Sequence, residues 1–399
     1  MKENLYADFC SISVYRGLMD LPPLAYLRDL LEALENGAAD VDSYANCFYA
    51  LAEEGYDSLA DYLFDHLRYD ESPFADAVAR GRVTPVLEKA ARHDLAVLAD
   101  IANTSCAELK GMMAALLPES WEESVYALPE WNIGAAFQYD RLVDFYRVNG
   151  CGLFAKYHAF VWADGRVNPV AYPDFRPLDT LWGYERQRDQ VIENTRALVE
   201  GKAVNNVLLY GASGTGKSAT VKAMLGVPGF ESLRLIEVEK EDLTDIPKLV
   251  RNLGHRPQKF ILFIDDLAFD KEDKTFSALK SILEGSLEPR PDNVVIYCTS
   301  NRRNLVRQSF SDRRGDEVDT RETIEDKVSL AARFGLRILY SELMKDPFIH
   351  MCCDLAAAVG VTMEREELEK EAVKWDIRHP SRTPRSANQF AASLLAKQK

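Results

Sequence analysis

The sequence lacks long hydrophobic runs, cysteine pairs of the C-x-x-C type and a hydrophobic leader. No apolar stretch of the 399-residue chain approaches the ~20 residues that a membrane-spanning helix needs. Residues 1–4 are not followed by the apolar stretch of a signal peptide. The seven cysteines are irregularly spaced and form no C-x-x-C pair, so neither a zinc site nor a disulfide framework is indicated. These absences predict a cytoplasmic protein with reduced thiols and no membrane partner.

Basic residues are scarce at the start of the chain. Residues 1–80 carry five basic and sixteen acidic side chains, a balance of −11 within a net charge of −15. An acidic front end repels polyphosphate, so we do not expect it to bind nucleic acid independently of sequence. Two interpretations stay open, a solvated surface that keeps the protein soluble and a docking face for a basic partner.

The hydrophobic pattern changes along the chain. Residues 1–150 repeat apolar side chains near helical spacing, with candidate helices at 85–92 and 95–103, which predicts a mostly helical N-terminal domain. A strand-like pattern follows, with an Asp-Gly turn and then three prolines. Residues 151–177 are therefore predicted to form a hairpin and a linker.

Strand and helix patterns alternate from residue 178 to residue 340. Such alternation is typical of a parallel sheet covered on both faces, so an α/β core with a five-stranded parallel sheet is predicted here. Residues 341–399 contain no further strand candidate and are predicted to be helical. The predicted strands are 206–210, 233–239, 259–265, 293–299 and 335–340.

The most informative motif is Gly-Ala-Ser-Gly-Thr-Gly-Lys-Ser at residues 211–218, which satisfies the phosphate-binding pattern G-x-x-x-x-G-K-[ST]. It lies between a predicted strand and a predicted helix, where backbone N–H groups and the helix N-terminus can hold an anion. Lys217 would then reach the β- and γ-phosphates of a nucleotide, and Ser218 Oγ would ligate Mg²⁺. The predicted nucleotide contacts of the loop are Gly211, Ala212, Ser213, Gly214, Thr215, Gly216, Lys217, Ser218 and Ala219.

Polar side chains end two later predicted strands. Asp265 and Asp266 follow an apolar run, and ligands bind at the carboxyl ends of strands in open α/β sheets. We predict that Asp265 is a second Mg²⁺ ligand and that Asp266 orients or deprotonates the attacking water. Asn301 is predicted to bond this water or the γ-phosphate. An acidic turn and a turn asparagine without chemistry are the alternatives.

Residues 178–395 resemble the AAA+ ATPases. Residues 181–185, Leu-Trp-Gly-Tyr-Glu, are similar to the entry segment of that family, whose apolar residues flank adenine. The resemblance therefore implies that Leu181 and Tyr184 contact the base. Residues 299–301, Thr-Ser-Asn, are similar to the sensor-1 position.

The same resemblance assigns roles to two arginines. Residues 332–335, Ala-Arg-Phe-Gly, are similar to the arginine-finger segment of branch-migration motors, which implies that Arg333 reaches the γ-phosphate of a neighbouring subunit. Residues 384–387, Pro-Arg-Ser-Ala, are similar to the start of the sensor-2 helix in the lid. Residues 341–399 are thus expected to be a helical lid, with Arg385 over the phosphates. An ordinary surface ion pair is the alternative for either arginine.

Several stretches are similar, more narrowly, to a bacterial domain-of-unknown-function branch of predicted P-loop ATPases. One departure from the wider AAA+ pattern is that the strand before residue 265 ends in Asp-Asp, where Asp-Glu is commoner, so the shorter Asp266 can position water less well. The similar stretches are 237–243, 290–293, 300–303 and 333–336.

The resemblance implies an ATP- and Mg²⁺-dependent ATPase that acts as a homo-oligomer, in a ring or open ring, to remodel or load a macromolecular client. A protein client is expected. Nucleic acid has weak support from Arg302, Arg303, Arg313 and Arg314, the last two within a charged insertion at 309–326. A non-hydrolysing nucleotide switch or scaffold and a P-loop small-molecule phosphotransferase stay open as alternatives.

Overall fold

The computed structural model describes residues 5–134, 138–174, 176–268, 279–280, 282–283, 290–301 and 332–398. Contacts between residues divide the chain into two units, Met1–Lys156 and Tyr157–Lys399. Within the described ranges, no helix has both the length and the apolar character needed to cross a lipid bilayer.

The first unit is built from helices that surround one hydrophobic core. Several of them begin at a capping side chain: Ser58, Ser72 and Thr84 each accept a hydrogen bond from the backbone N–H three residues further on. The α-helices are α1 (Leu5–Cys10), α2 (Pro22–Glu35), α3 (Val41–Glu53), α4 (Leu59–Tyr69), α5 (Pro73–Ala79), α6 (Pro85–Ala102), α7 (Cys106–Leu116), α8 (Glu122–Tyr126), α9 (Tyr139–Asn149) and α10 (Leu153–Lys156). Short 3₁₀ helices lie at Arg16–Asp20 and Glu119–Trp121.

A buried aspartate joins the start of the chain to α6. Asp94 Oδ2 accepts hydrogen bonds from the backbone N–H groups of Ser13, Val14 and Tyr15, at 2.9, 2.6 and 3.2 Å. The polar residue therefore lies inside the unit, and α6 continues through it. The two helices predicted at 85–92 and 95–103 are one helix.

The second unit contains a seven-stranded sheet. Its strands are β1 (Ala159–Ala163), β2 (Arg166–Pro169), β3 (Val207–Gly211), β4 (Leu233–Val238), β5 (Lys259–Ile264), β6 (Val294–Ser300) and β7 (Leu336–Tyr340). Their order is β2-β1-β4-β5-β6-β3-β7; β1 and β2 are antiparallel, and every other neighbouring pair is parallel. The prediction of five strands was wrong in number because β1 of the hairpin pairs with β4 and so extends the sheet.

Helices accompany the sheet and follow it. Three C-terminal helices pack around a hydrophobic cluster of their own, which includes Phe348, Leu368 and Phe390. The α-helices of this unit whose two ends lie within the described residues are α11 (Glu185–Val199), α12 (Lys217–Lys222), α13 (Ile246–Leu253), α14 (Lys345–Ala358), α15 (Arg365–Arg378) and α16 (Pro384–Leu395). Its 3₁₀ helices are Leu178–Thr180, Ala223–Gly226 and Lys240–Asp245.

The strand order decides where the polar residues meet. Strands β5, β6 and β3 are consecutive in the sheet, with Ile264 opposite Cys298 and Tyr210 opposite Ser300. The segments that follow these parallel strands therefore emerge side by side at one edge, which is where open α/β sheets bind ligands.

Candidate functional site

The glycine-rich loop connects β3 to α12, as its motif requires. Gly211 has φ of 135°, and a Cβ placed there would lie 2.1 Å from the carbonyl oxygen of Tyr340. The backbone N–H of Ala212 donates to that same oxygen at 3.0 Å. These two residues pack the loop against β7 instead of lining the cavity that the following residues form.

Lys217 is the buried cation of the site, with 5% of its surface exposed. Its Nζ donates to the carbonyl oxygens of Gly211 and Ala212 at 3.2 and 2.7 Å, and to Asn301 Oδ1 at 3.0 Å. Burial lowers the pKa of this ammonium, while the charges of Asp266 and Asp265 oppose that shift. The lysine is thus held at the loop and linked to the end of β6.

The oxygen atoms suited to a divalent cation lie on two neighbouring elements. Ser218 Oγ, at the start of α12, donates to Asp265 Oδ1 at 2.6 Å. A hydroxyl and a carboxylate are hard oxygen ligands of the kind that Mg²⁺ prefers, so this pair fits the predicted metal. The sequence prediction that Ser218 and Asp265 act together is consistent with this geometry.

Asp266 occupies an unusual turn after β5. Its backbone φ is 48°, in the left-handed region that non-glycine residues rarely adopt. Its N–H donates to Thr299 Oγ1 at 2.9 Å, and its Oδ1 accepts a hydrogen bond from Asn301 Nδ2 at 2.7 Å. Asn301 therefore bridges Lys217 and Asp266, because its amide oxygen faces the lysine and its nitrogen faces the carboxylate.

The C-terminal helix α16 contacts the loop directly. Thr383 caps this helix by accepting a hydrogen bond from the N–H of Ser386. The backbone N–H of Arg385 donates to the carbonyl oxygen of Gly214 at 3.2 Å. The positive charge of Arg385 also contributes to lowering the pKa of Lys217. The arginine therefore lies close enough to the loop to act on a phosphate group bound there.

The segment before α11 forms another wall of the site. Arg188 Nη1 donates to the carbonyl oxygens of Leu181, at 2.8 Å, and of Gly183. Tyr184 has φ of 62°, stacks on Tyr340 with ring centroids 5.0 Å apart, and donates to the carbonyl oxygen of Ser341 at 2.5 Å. The segment is fixed by these contacts.

A cavity of about 750 Å³ joins these walls. The predicted site residues that line it are Leu181, Tyr184, Ser213, Gly214, Thr215, Gly216, Lys217, Ser218, Ala219, Asp265, Asp266, Asn301 and Arg385. Gly211, Ala212 and Arg333 are not among the lining residues. Arg333 is half-buried and lies three residues before the start of β7. Arg302, Arg303, Arg313, Arg314 and the insertion 309–326 lie outside the described residues.

Several cavity residues had no predicted role. They are Arg176, Thr180, Trp182, Gly183, Arg188, Thr220, Thr299, Tyr340, Pro384, Asn388, Gln389 and Ala392. Periodicity could have found some of them. Thr299 lies near the end of β6, two residues before Asn301, and alternation along a strand would place both on one face. Asn388, Gln389 and Ala392 lie three, four and seven residues after Arg385 on a helix.

The chain belongs to the family described as "Protein of unknown function (DUF815)", whose model matches residues 155–398. This match confirms the predicted membership of a domain-of-unknown-function family. No curated protein matches the chain.

Solved structures similar to the chain include RuvB of Thermotoga maritima, described as a Holliday junction branch migration motor, at 17% identity and a TM-score of 0.38. Two single-substitution variants of that protein are similar at 18% identity, with TM-scores of 0.38 and 0.37. Each match covers 54% of this chain and 63% of the solved one, so the chain spans less than two thirds of these neighbours.

Proposed function

We propose that this protein is an AAA+ ATPase that binds ATP with Mg²⁺ in the described cavity and hydrolyses it. The observation that carries the proposal is the set of hydrogen bonds across three adjacent strand ends. Ser218 is bonded to Asp265, and Asn301 is bonded both to Lys217 and to Asp266. A glycine-rich turn without chemistry needs none of these partners.

Each polar residue then has a role. Lys217 holds the β- and γ-phosphates by charge, and Arg385 adds a second positive charge from α16. Ser218 and Asp265 would hold Mg²⁺, which when bound neutralises phosphate charge. Asp266 orients or deprotonates the attacking water, and Asn301 positions that water or the γ-phosphate. Leu181 and Tyr184 lie on the wall proposed to face the base.

We further propose that active sites are shared between subunits of a homo-oligomer. Arg333 does not line the cavity of its own chain, which is compatible with a role as a finger toward a neighbour. The C-terminal helices of residues 341–399 would act as the lid, and hydrolysis would remodel or load a macromolecular client, with a protein client preferred.

A non-hydrolysing nucleotide switch is the second candidate. The observation that favours it is the short carboxylate of Asp266, whose Oδ1 already accepts a hydrogen bond from Asn301. An aspartate held in this way is less free to approach water than a longer glutamate.

Nucleotide binding and phosphate release by the full chain test the proposal. Lys217→Ala should weaken ATP binding by about tenfold or more, since hydrogen bonds to charged groups contribute roughly 1.5–3 kcal/mol. Asp266→Asn should keep ATP bound and lower turnover by about 100-fold, within the range for lost general-base catalysis. Lys222→Ala, on the same helix but paired with Glu237, is the matched control and should resemble the wild type.

The outcomes separate the candidates. Absence of ATP binding by the wild type, or equal binding by Lys217→Ala, would contradict the nucleotide site itself. Tight binding without phosphate release identifies the switch. Transfer of labelled γ-phosphate to a small molecule rather than to water identifies the phosphotransferase.

A further inference from the structure

Thr299 lies between the two carboxylates of the site and is only 1% exposed. Its Oγ1 donates to Asp265 Oδ1 at 2.5 Å and accepts the backbone N–H of Asp266 at 2.9 Å. One hydroxyl therefore contacts the proposed metal ligand through its proton and the proposed water-activating residue through its oxygen.

Three donors converge on one oxygen of Asp265. Besides Thr299, Ser218 Oγ donates to Oδ1 at 2.6 Å, and the N–H of Asp266 lies 3.1 Å from it. The carboxylate cannot rotate about its χ2 bond without breaking these contacts. Of the two hydroxyls, that of Ser218 is itself a proposed Mg²⁺ ligand, whereas the hydroxyl of the buried Thr299 holds Asp265 without taking a place in the proposed metal site.

Thr299 also holds the turn that presents Asp266. The left-handed φ of 48° at Asp266 is unfavourable for an L-residue, because its Cβ crowds the following carbonyl oxygen. The carbonyl oxygen of Thr299 accepts the N–H of Leu267 at 2.7 Å, while its hydroxyl accepts the N–H of Asp266. Both peptide groups of the turn are thus bonded to this one residue of β6.

We propose that Thr299 is a positioning residue that sets Asp265 for Mg²⁺ and Asp266 for water through a single hydroxyl. This inference rests on the proposed function, since it assigns no nucleotide contact of its own to Thr299. A buried threonine that only packs in the core would not change the effect of Mg²⁺ on nucleotide affinity. The hydroxyl of Thr299 should change it.

The test compares Thr299→Val, which removes the hydroxyl at nearly constant volume, with Thr299→Ser, which keeps it. ATPγS affinity is measured for the full chain with Mg²⁺ and with EDTA, and ATP turnover is measured alongside. In Thr299→Val the gain in affinity on adding Mg²⁺ should fall about tenfold, equivalent to about one lost charge-assisted hydrogen bond, with the affinity in EDTA unchanged. Turnover should fall at least about tenfold with KM altered less than about threefold.

Thr299→Ser should restore both quantities to within about threefold of the wild type, because it keeps the donor and the acceptor. Thr195→Val is the matched control. It removes another buried hydroxyl, bonded to Val191 and Tyr297 and outside the cavity, so it should alter thermal stability without altering the Mg²⁺ effect. If Thr299→Val does not fold, Thr299→Ala is judged by the same measurements.

Each outcome bears on the proposal. An unchanged Mg²⁺ effect in folded Thr299→Val, or a serine variant as impaired as valine, overturns the positioning role and leaves the proposed ATPase intact. A wild type that binds ATPγS without hydrolysing ATP refutes hydrolysis, and the Mg²⁺ effect alone then decides the role of Thr299. A wild type that binds no nucleotide overturns both.

Discussion

Asp266 and Tyr184 are non-glycine residues with φ of 48° and 62°, and both line the cavity. The described chain has one further residue of this kind, Asp164, which lies in the turn between β1 and β2. Such conformations persist only where neighbours hold them. Thr299 holds the first, whereas stacking on Tyr340 and a hydrogen bond to Ser341 hold the second. Backbone strain is therefore concentrated at the site.

His158 should make the second unit less stable in acid. Its Nδ1 is 3.1 Å from Arg234 Nη1, and desolvation together with the Arg234 charge lowers the imidazole pKa from its ordinary 6.5. The unfolded chain then binds the proton more tightly, so stability falls as pH drops from above 6.5 through the folded-state pKa. Between pH 8 and pH 5, the thermal unfolding temperature of the full chain should fall less for His158→Gln than for the wild type.

His255→Gln is the control for this prediction, because His255 is an exposed histidine of the same unit. It should retain the acid dependence of the wild type. If the wild type and His158→Gln lose the same stability between pH 8 and pH 5, the contact with Arg234 does not couple protonation to folding.

Helix α6 illustrates how a distant segment decides the structure of an element. The helix is capped by Thr84, begins at Pro85 and ends at Ala102. Its position 94 is polar yet buried, because three backbone N–H groups near the start of the chain converge on that carboxylate. The stability of the first unit thus depends on a contact between residues about eighty positions apart.

Asp94→Ala should destabilise the first unit by about 3 kcal/mol. Buried N–H donors left without an acceptor cost roughly 1–3 kcal/mol each, and the total stays near the cost of one or two because some of these donors will bind water instead. Hydrogen exchange of the amides of Ser13, Val14 and Tyr15, with chemical denaturation of the full chain, measures the effect. Glu88→Ala is the control on the same helix, since its ion pair with Arg92 is exposed and its loss should cost less than about 1 kcal/mol. Equal losses from the two variants would contradict this account.

The strands were predictable because their signals are local. All five predicted strands are present with ends shifted by at most one residue, since apolar runs of β5 and β6 are buried on both faces. The pairing of β1 with β4 was not predictable, because the pattern of a hairpin does not specify its neighbour. The continuity of α6 was missed for the same reason, since no local signal marks Asp94 as buried.

The candidate site was predictable where a motif fixes chemistry at a known spacing. Lys217, Ser218, Asp265, Asp266 and Asn301 were selected from sequence, and the structure brings them together. Gly211 and Ala212 were assigned to phosphate although they pack against β7, because the motif pattern does not separate glycines for close packing from glycines for binding. Arg188 was missed because the contacts that hold the wall of the cavity are with the carbonyl groups of Leu181 and Gly183, for which no side-chain pattern exists.

At the scale of the whole molecule, the acidic charge and the proposed nucleotide site belong to different units. The acidic excess of −11 lies in residues 1–80, within the first unit, whereas the cavity and all but the first two residues of the family match lie in the second. The described chain supplies every proposed catalytic group of its cavity except the finger, Arg333. Completion of the site is therefore proposed to require a second copy of the chain.

Mixing two inactive variants tests whether sites are shared. Arg333→Ala and Lys217→Ala should each lower ATP turnover, the former by about 100-fold or more with ATP still bound. In a 1:1 mixture, about a quarter of head-to-tail interfaces combine an intact Lys217 with a neighbour's intact Arg333, so turnover should recover toward that fraction of the wild type. Turnover and particle mass are measured together.

Arg337→Ala is the control, because this exposed arginine lies within β7, and it should leave turnover unchanged. A mixture no more active than its components, in a sample shown to be assembled, would argue against a finger acting across an interface. A particle that stays monomeric with every nucleotide would exclude sharing altogether.

The hydrogen bond from the N–H of Arg385 to Gly214 joins two main chains, and no side chain takes part in it. An alanine scan would register the loss of the guanidinium at position 385 and would leave this mechanical coupling untouched. Every residue except proline keeps this N–H, so a substitution at position 385 would leave the backbone bond between α16 and the glycine-rich loop in place. The charge beside the proposed phosphate site can therefore change while the connection between the helix and the loop is kept.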